Sequence, residues 1–228
     1  MRHARSGFRM KWAVGAVGLA AAIGLVATAG LAQGPGKSAG AKIGIGELMP
    51  DFTMTDHAGK EHALSKSKGY IVLLSFSSQE CPYSRGVDPD LAQVAKDYKD
   101  KGVVVLSIDS HKTTQPDAIR QYAEKNKLPF PILKDHRNAY ADKVGATRTP
   151  EIFVLDRDLK LAYHGAFDDR QNPSKTGETS YVRGALDSLL AERDVAPSRV
   201  KTWGCTIKRV PVAAASAPKP ARTPREGS

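Results

Sequence analysis

Residues 71–84 read IVLLSFSSQECPYS. The first six residues, Ile71 to Phe76, form a continuous apolar run rich in β-branched side chains, which is typical of a buried central strand. Cys81 follows this strand almost at once, and the next residue, Pro82, is of a type favoured at the first position of a helix. The stretch therefore predicts a strand, a cysteine and a helix in direct succession, with the cysteine sulfur at the N-terminus of the helix.

A cysteine in this position is expected to be reactive. The unpaired N–H groups and the dipole of a helix N-terminus favour the thiolate, so we expect the pKa of Cys81 to fall from about 8.5 toward neutrality. The thiolate is the nucleophile in disulfide exchange and in peroxide reduction alike. The alternative is that Cys81 is a small buried apolar side chain, as most free cysteines are.

The rest of the pattern predicts an α/β domain. A second apolar run, Val103 to Ile108, indicates another central strand, and the spacing of apolar residues between Leu91 and Tyr98 indicates a helix between the two strands. A strand, a helix and a strand in this order predict a parallel crossover. The other predicted elements are an N-terminal hairpin with its turn at 56–60, a helix over 116–126, a second hairpin over 151–156 and 159–165, and a final helix over 182–190.

The two ends of the chain differ from this domain in composition. Residues 1–32 combine four basic residues among the first 11 with an uncharged apolar run, which is typical of a secretory signal peptide or, if uncleaved, of a membrane anchor. Residues 33–42 are predicted to form a linker, residues 43–210 the folded domain, and residues 211–228 a disordered tail. We therefore expect an exported protein, periplasmic or anchored facing the periplasm, that contacts a membrane only if the signal stays uncleaved.

The basic charge of the chain does not indicate nucleic-acid binding. Of the formal net charge of +10, the first 11 residues supply 4 and the tail after Val210 supplies 2, which leaves +4 for the domain. No run of Lys and Arg is interleaved with aromatic residues, as a nucleic-acid-binding stripe would be. We expect no nucleic-acid partner.

Three further positions carry a resemblance to a known family. Phe76 lies five residues before Cys81, Pro89 lies eight after it, and Thr149-Pro150 directly precedes a predicted strand. With these features residues 43–209 resemble the thioredoxin-like superfamily, and within it the redoxins of the alkyl hydroperoxide reductase/thiol-specific antioxidant type. The resemblance implies a thioredoxin-like fold, with a central mixed sheet flanked by helices and an N-terminal β-hairpin extension. It also implies that Thr149-Pro150 is a cis-proline loop beside the reactive sulfur, the alternative being an ordinary trans proline at the start of a strand.

The motif around the cysteine departs from that of thioredoxins. Where they have Cys-x-x-Cys, this chain has Ser84, so no disulfide can close within the motif. Residues 78–82 resemble the Thr/Ser-x-x-Cys-Pro of peroxiredoxins, which implies that the Ser78 hydroxyl helps to position a peroxide. Peroxiredoxins also have a proline where this chain has Leu74, and a catalytic arginine near the position of Pro150. Arg148 is the candidate to supply that missing cation.

The second cysteine, Cys205, lies in the sequence Trp203-Gly204-Cys205-Thr206-Ile207-Lys208. This segment resembles the Gly-Cys-x-Ile-Lys ending of a subgroup of bacterial peroxiredoxin-like proteins. Cys205 is a candidate resolving thiol, which attacks the sulfenate or mixed disulfide formed on Cys81. A permanent structural disulfide and an unpaired thiol are the alternatives, because the sequence does not fix the distance between the two sulfurs.

The sequence thus predicts an exported thiol-dependent oxidoreductase of the peroxiredoxin-like type. Cys81 reduces a hydroperoxide, Ser78 and Thr149 shape the pocket, and an external thiol reductant returns the enzyme to its starting state. No cofactor or metal is expected, because the histidines lack zinc-site spacing and a copper chaperone needs two closely spaced cysteines. The alternatives are thiol–disulfide exchange or isomerisation on oxidised protein thiols, and a non-catalytic binding module with this fold.

Overall fold

The computed structural model of the protein describes residues 43–211. The predicted signal or anchor (1–32), the predicted linker (33–42) and nearly all of the predicted tail lie outside the described residues. No helix within 43–211 is long and apolar enough to cross a membrane. The elements of this range are, in chain order, β1 (Thr53–Thr55), β2 (Glu61–Ala63), β3 (Ile71–Ser77), α1 (Pro82–Tyr98), β4 (Val103–Asp109), α2 (Pro116–Lys125), β5 (Ile132–Lys134), α3 (Ala139–Val144), β6 (Arg148–Thr149), β7 (Glu151–Leu155), β8 (Leu161–Gly165), α4 (Tyr181–Leu190) and β9 (Cys205–Thr206), with 3₁₀ turns at Leu64–Ser67, Lys99–Lys101 and His136–Asn138.

Five strands form the central mixed sheet, in the order β5-β4-β3-β7-β8. Strand β3 pairs in parallel with β4 and antiparallel with β7, while β5 extends the parallel half and β8 the antiparallel half. Strands β1 and β2 form the separate N-terminal hairpin. The predicted fold class, a mixed sheet with flanking helices and an N-terminal hairpin, is confirmed.

The side chains of β3 alternate between the two faces of the sheet, and they pack in a hydrophobic core on each face. Every residue of this strand is buried, as expected for the middle of a covered sheet. On one face Leu73 packs in a core with Leu91 of α1 and Leu186 of α4. On the other face Phe76 packs against Tyr140 of α3, with ring centroids 6.2 Å apart. The strand is therefore held rigidly from both sides, and so is the turn at its carboxyl end.

Four elements were not predicted from the sequence: the two-residue strands β6 and β9, strand β5 and helix α3. Strand β5 has three residues and follows Pro129 and Pro131, so it lacks the long apolar run of β3 and β4. Helix α3 has six residues, enclosed by Asn138 and Gly145 in the left-handed conformation (φ 61° and 77°). Periodicity is weak over so few residues, which is why none of these elements gave a signal.

Candidate active site

Cys81 lies in the short turn between the end of β3 and the start of α1. Its backbone is extended (φ −93°, ψ 119°) and Pro82 is the first helical residue. The Cys81 N–H donates to the carbonyl oxygen of Ser78 at 3.0 Å, and its own carbonyl accepts the first helical hydrogen bond, from the N–H of Arg85, at 3.1 Å. The side chain is 1% exposed. The structure therefore places the sulfur at a helix N-terminus, under a cover of protein.

Hydrogen bonds favour the thiolate of Cys81. Burial by itself raises the pKa of this thiol, but hydrogen bonds from the Cys205 thiol and from the backbone N–H groups of Ser84 and Cys205 outweigh burial, so the net pKa lies below its usual range. Donors of this kind stabilise an anion more than they stabilise a neutral thiol. Cys81 is therefore suited to act as the attacking sulfur.

Cys205 lies beside Cys81, although 124 residues separate them in the chain. The two sulfurs are 2.6 Å apart, and both cysteines are free thiols. Burial and the neighbouring Cys81 sulfur raise the pKa of Cys205 to about 11, so this thiol keeps its proton. The pair is thus unequal, because the pKa of Cys81, the residue before α1, is lowered and the pKa of Cys205 on β9 is raised. Cys205 therefore lies within reach of the Cys81 sulfur, which a resolving thiol requires.

The cis-proline loop also contacts the Cys81 sulfur. The Thr149–Pro150 peptide bond is cis, in agreement with the family resemblance. The Thr149 carbonyl oxygen is 3.0 Å from Cys81 Sγ, and the Thr149 side chain is fully buried. The loop therefore contacts the reactive sulfur directly.

A buried carboxylate that the sequence analysis did not single out holds this loop. Glu151 accepts hydrogen bonds from the N–H groups of Thr147 at 2.7 Å and Arg148 at 2.8 Å, and its other oxygen is 2.7 Å from Nε2 of His164. Burial raises the pKa of Glu151, but the His164 hydrogen bond and the two N–H donors outweigh it, so the net pKa lies below the usual range. The Glu151 carboxylate thereby holds in place the backbone that leads into Thr149.

Residues 201–209, named here the C-terminal strap, cross over Cys81. Strand β9 lies in this strap and pairs antiparallel with β6, so that Cys205 is opposite Thr149. Gly204 has φ 107°, and a Cβ atom built on it would lie 2.2 Å from the Thr149 carbonyl oxygen. Only glycine allows this approach. The sequence Trp203-Gly204-Cys205 could have suggested that a glycine is required here. The close approach of Gly204 to the Thr149 carbonyl oxygen can be seen only in the folded structure.

The strap is anchored on both sides of Cys205. Before it, the Trp203 ring contacts the Tyr83 ring with centroids 5.4 Å apart, and the Trp203 indole N–H donates to a backbone carbonyl at 2.8 Å. After it, Ile207 is buried in the core and Arg209 pairs with Asp142 at 2.6 Å. Lys208 also reaches the carboxylate of Glu80, on the turn that precedes Cys81.

Two residues predicted to act at the site, Ser78 and Arg148, have side chains that hydrogen-bond to groups other than the Cys81 sulfur. The Ser78 hydroxyl is buried and accepts the N–H of Glu80 at 3.2 Å, so it stabilises the turn before Cys81. The exposed guanidinium of Arg148 donates to the carbonyl of Gly204 and the hydroxyl of Thr206, both at 3.3 Å, so it fastens the strap. Neither contact is with the Cys81 sulfur. The arrangement around the sulfur consists of the second thiol, Thr149 and backbone N–H groups.

Within residues 43–211, no three His, Cys, Asp or Glu side chains are grouped closely enough to hold a metal ion. His111 is buried with neither ring nitrogen hydrogen-bonded, and burial lowers its pKa. His164 is engaged with Glu151.

The chain is similar to several known proteins. Residues 45–164 match the family model described as the AhpC/TSA family. A relative in Bacillus thuringiensis named "Thiol-disulfide oxidoreductase ResA" is 29% identical over 120 residues, which cover 53% of this chain and 68% of the relative. The "Thioredoxin-like protein YneN" of Bacillus subtilis is 31% identical over 118 residues, covering 50% and 68%. The crystal structure of an uncharacterized conserved protein from Geobacillus kaustophilus is 32% identical, with a TM-score of 0.71, and the match covers 75% of this chain and 95% of that one.

The fold and the site together define a thioredoxin-like protein with a thiol-based redox site. The helix N-terminal cysteine, the cis-proline loop and the mixed sheet all fit this class. The family model covers more than half of the sequence, and the chain belongs to the AhpC/TSA family.

Proposed function

We propose that this protein is a thiol–disulfide oxidoreductase whose redox couple is Cys81 and Cys205. The observation that carries the proposal is the 2.6 Å separation of two thiols with opposite pKa shifts. A nucleophilic thiolate beside a protonated thiol is the arrangement that disulfide exchange through a mixed disulfide requires. The names of the relatives, a thiol-disulfide oxidoreductase and a thioredoxin-like protein, support the same reaction class.

The reaction proceeds in two exchanges. The Cys81 thiolate attacks one sulfur of a substrate disulfide, a new S–S bond forms, and the other substrate sulfur leaves with the electron pair and takes up a proton. Once Cys81 is no longer an anion, the pKa of Cys205 falls, because the charge that had raised it is gone. Cys205 then loses its proton to solvent and attacks the Cys81 sulfur, which releases the second substrate thiol. The substrate disulfide is reduced to two thiols and the pair is oxidised to one disulfide.

The cycle needs a partner that reduces the Cys81–Cys205 disulfide, and a dithiol is the reductant of matching chemistry. In the opposite direction the same couple oxidises a substrate dithiol. We propose an extracytoplasmic compartment for this chemistry, on the strength of the signal-like composition of residues 1–32.

Trapping with a model disulfide tests the proposal. Reduced protein mixed with glutathione disulfide should lose two thiols and no mass beyond two hydrogens, because Cys205 resolves the adduct. The Cys205→Ser variant should stop at one glutathione adduct on Cys81, seen by intact mass and peptide mapping. The proposal is wrong if wild type keeps both thiols, or if wild type and variant carry equal stable adducts.

Hydroperoxide reduction is the second candidate, favoured by Ser78 three residues before Cys81 and by the match to the AhpC/TSA family. Here the Cys81 thiolate takes the terminal peroxide oxygen to become a sulfenic acid and releases an alcohol or water. Cys205 then displaces hydroxide, which leaves as water, and forms the disulfide. Arg148, engaged with the strap, is not positioned at the sulfur to assist.

One equivalent of hydrogen peroxide under fast quench separates the two candidates. Prompt loss of two thiols in wild type, with a Cys81 sulfenate in Cys205→Ser, supports the peroxidase. A Cys81 thiol that persists for minutes in peroxide but reacts with glutathione disulfide leaves disulfide exchange alone. A non-catalytic binding module predicts an ordinary thiol pKa and slow alkylation at Cys81.

A further inference from the structure

The loop between β8 and α4, residues 166–180, lies against the N-terminal half of α1. At Gly86 of α1 the two backbones approach closely, because a Cβ atom built there would lie 1.9 Å from the carbonyl oxygen of Pro173. No residue other than glycine fits at this contact without displacing the loop. The loop is therefore seated on the helix that begins directly after Cys81.

Arg170 of this loop ties it to α1 through a buried guanidinium, whose side chain is only 1% exposed. The guanidinium donates to the carbonyl oxygen of Gly86 and to the carboxylate of Asp90, both at 2.6 Å. It also donates to the carboxylate of Asp168 on its own loop, from Nε at 2.9 Å and from Nη2 at 2.6 Å. Because the five donors of a guanidinium lie in one rigid plane, these bonds fix the position of the loop on the helix.

The loop residue that Arg170 binds also holds the strap. The indole N–H of Trp203 donates to the backbone carbonyl oxygen of Asp168 at 2.8 Å, and Trp203 lies two residues before Cys205. The guanidinium carbon of Arg170 is 5.9 Å from the centre of the Trp203 ring, within the range of a cation–π contact. A continuous series of contacts thus joins the helix that begins after Cys81 to the strap that carries Cys205.

We infer that Arg170 is a positioning residue for the redox pair: through the loop and Trp203 it holds the Cys205 sulfur at the Cys81 sulfur, although it touches neither. The inference rests on the proposed function, the disulfide chemistry of this pair. Beyond Cys205 the strap is anchored separately, by Ile207 in the core. Loss of the Arg170 contacts leaves that anchor in place, so it loosens the strap only on the Trp203 side. The effective concentration of one thiol at the other then falls, and the disulfide becomes easier to reduce.

The equilibrium of the full chain with dithiothreitol tests the inference. Dithiothreitol passes two electrons and two protons to the Cys81–Cys205 disulfide and becomes a cyclic disulfide itself. Thiol counts after acid quench, over a range of ratios of reduced to oxidised dithiothreitol, give the equilibrium constant for each variant. The pH profile of iodoacetamide alkylation at Cys81 is the second readout, because it depends on how firmly the Cys205 donor is held.

The variants are Arg170→Lys, Trp203→Phe and the two combined. Lysine keeps the buried positive charge but lacks the planar fork, and phenylalanine keeps an aromatic ring but lacks the indole N–H. Arg183→Lys is the matched control, because Arg183 of α4 pairs with Asp97 near the other end of α1.

We expect the equilibrium constant for reduction to rise at least about fivefold in Arg170→Lys and in Trp203→Phe, which is about 20 mV for a two-electron couple. The alkylation profile of Cys81 should move to higher pH in both. Since the two changes break the same series of contacts, the combined variant should shift the equilibrium by less than the product of the single effects. Arg183→Lys should leave it unchanged.

Gly86→Ala is a second test that leaves the buried charges intact. Alanine favours the helix, but its Cβ displaces the loop, so this variant should shift the equilibrium in the same direction, whereas Gly184→Ala should not. An unchanged equilibrium in Arg170→Lys or in Gly86→Ala, or single effects that multiply in the combined variant, overturns the positioning role and leaves the exchange reaction standing. If the wild type forms no Cys81–Cys205 disulfide at any dithiothreitol ratio, the proposed function fails and the positioning role fails with it.

Discussion

Replacement of Asp88 by asparagine is expected to stabilise the protein at neutral pH and to change its stability little in acid. Asp88 lies on α1, is 5% exposed, and accepts a hydrogen bond from the Tyr122 hydroxyl at 2.6 Å. Burial raises the pKa of Asp88 from 3.8 to about 6. Each pKa unit corresponds to about 1.4 kcal/mol, so the ionised carboxylate costs the folded state about 3 kcal/mol at pH 7.

The sign of the pH dependence follows from proton binding. Between about pH 4 and pH 6 the folded state holds a proton on Asp88 that the unfolded state has lost, so wild-type stability falls as the pH rises through this range. Asparagine keeps an oxygen for the Tyr122 hydroxyl and cannot ionise. The Asp88→Asn variant should therefore be more stable by about 3 kcal/mol at pH 7.5 and nearly equal to wild type at pH 4.

Urea unfolding of the reduced proteins, followed by tryptophan fluorescence at pH 4 and pH 7.5, measures both differences. Asp100→Asn, at an exposed position beyond α1, is the matched control and should leave the free energy of unfolding unchanged at both pH values. A stability difference for Asp88→Asn that is the same at the two pH values, or absent at both, would refute the reasoning.

Three further changes act on the site. Cys205→Ala removes a donor to the Cys81 thiolate, so the pKa of Cys81 should rise; the pH profile of iodoacetamide alkylation measures this, and an unchanged profile contradicts it. Gly204→Ala should slow formation of the Cys81–Cys205 disulfide at least about tenfold in quenched thiol counts, whereas Gly184→Ala, whose Cβ meets nothing within 4 Å, should not. Glu151→Gln should cost about 3 kcal/mol in urea unfolding at pH 7, because it breaks a buried charged network. That loss should shrink below about pH 4, where wild type loses the stability that its lowered Glu151 pKa provides, and a pH-independent loss would argue against the charge.

The succession of strand, Cys81 and helix could be predicted from the sequence because its signals are local. The apolar run of β3 and the Cys81-Pro82 pair set the strand, the sulfur and the helix within a dozen residues, and the structure has them in that order. Helix α2 was predicted over 116–126 and runs from Pro116 to Lys125. The strand predicted from Leu159 starts at Leu161, since Leu159 has φ 64° and belongs to the turn.

The second half of the site could be predicted only in part, because it depends on contacts between distant parts of the chain. The sequence offered Cys205 as a candidate resolving thiol, but it did not fix the distance between this sulfur and that of Cys81, 124 residues away. The role of Glu151 as the support of the cis-proline loop depends on His164, on the next strand, and on N–H groups that turn back toward it. Arg148 was the candidate for the catalytic arginine that the family resemblance implies, but its guanidinium hydrogen-bonds to Gly204 and Thr206 of the strap.

The two sulfurs lie on separate elements, and this ties the redox chemistry of the protein to its folding. In a Cys-x-x-Cys motif the effective concentration of one thiol at the other is set by a single helical turn. Here it is set by how firmly residues 201–209 hold Cys205 against Cys81. Any change that loosens this segment lowers that effective concentration, and the disulfide becomes easier to reduce by the same factor. The disulfide in turn favours the closed segment by that factor, so the reduction potential of the protein can serve as a direct measure of how well its C-terminal segment is packed.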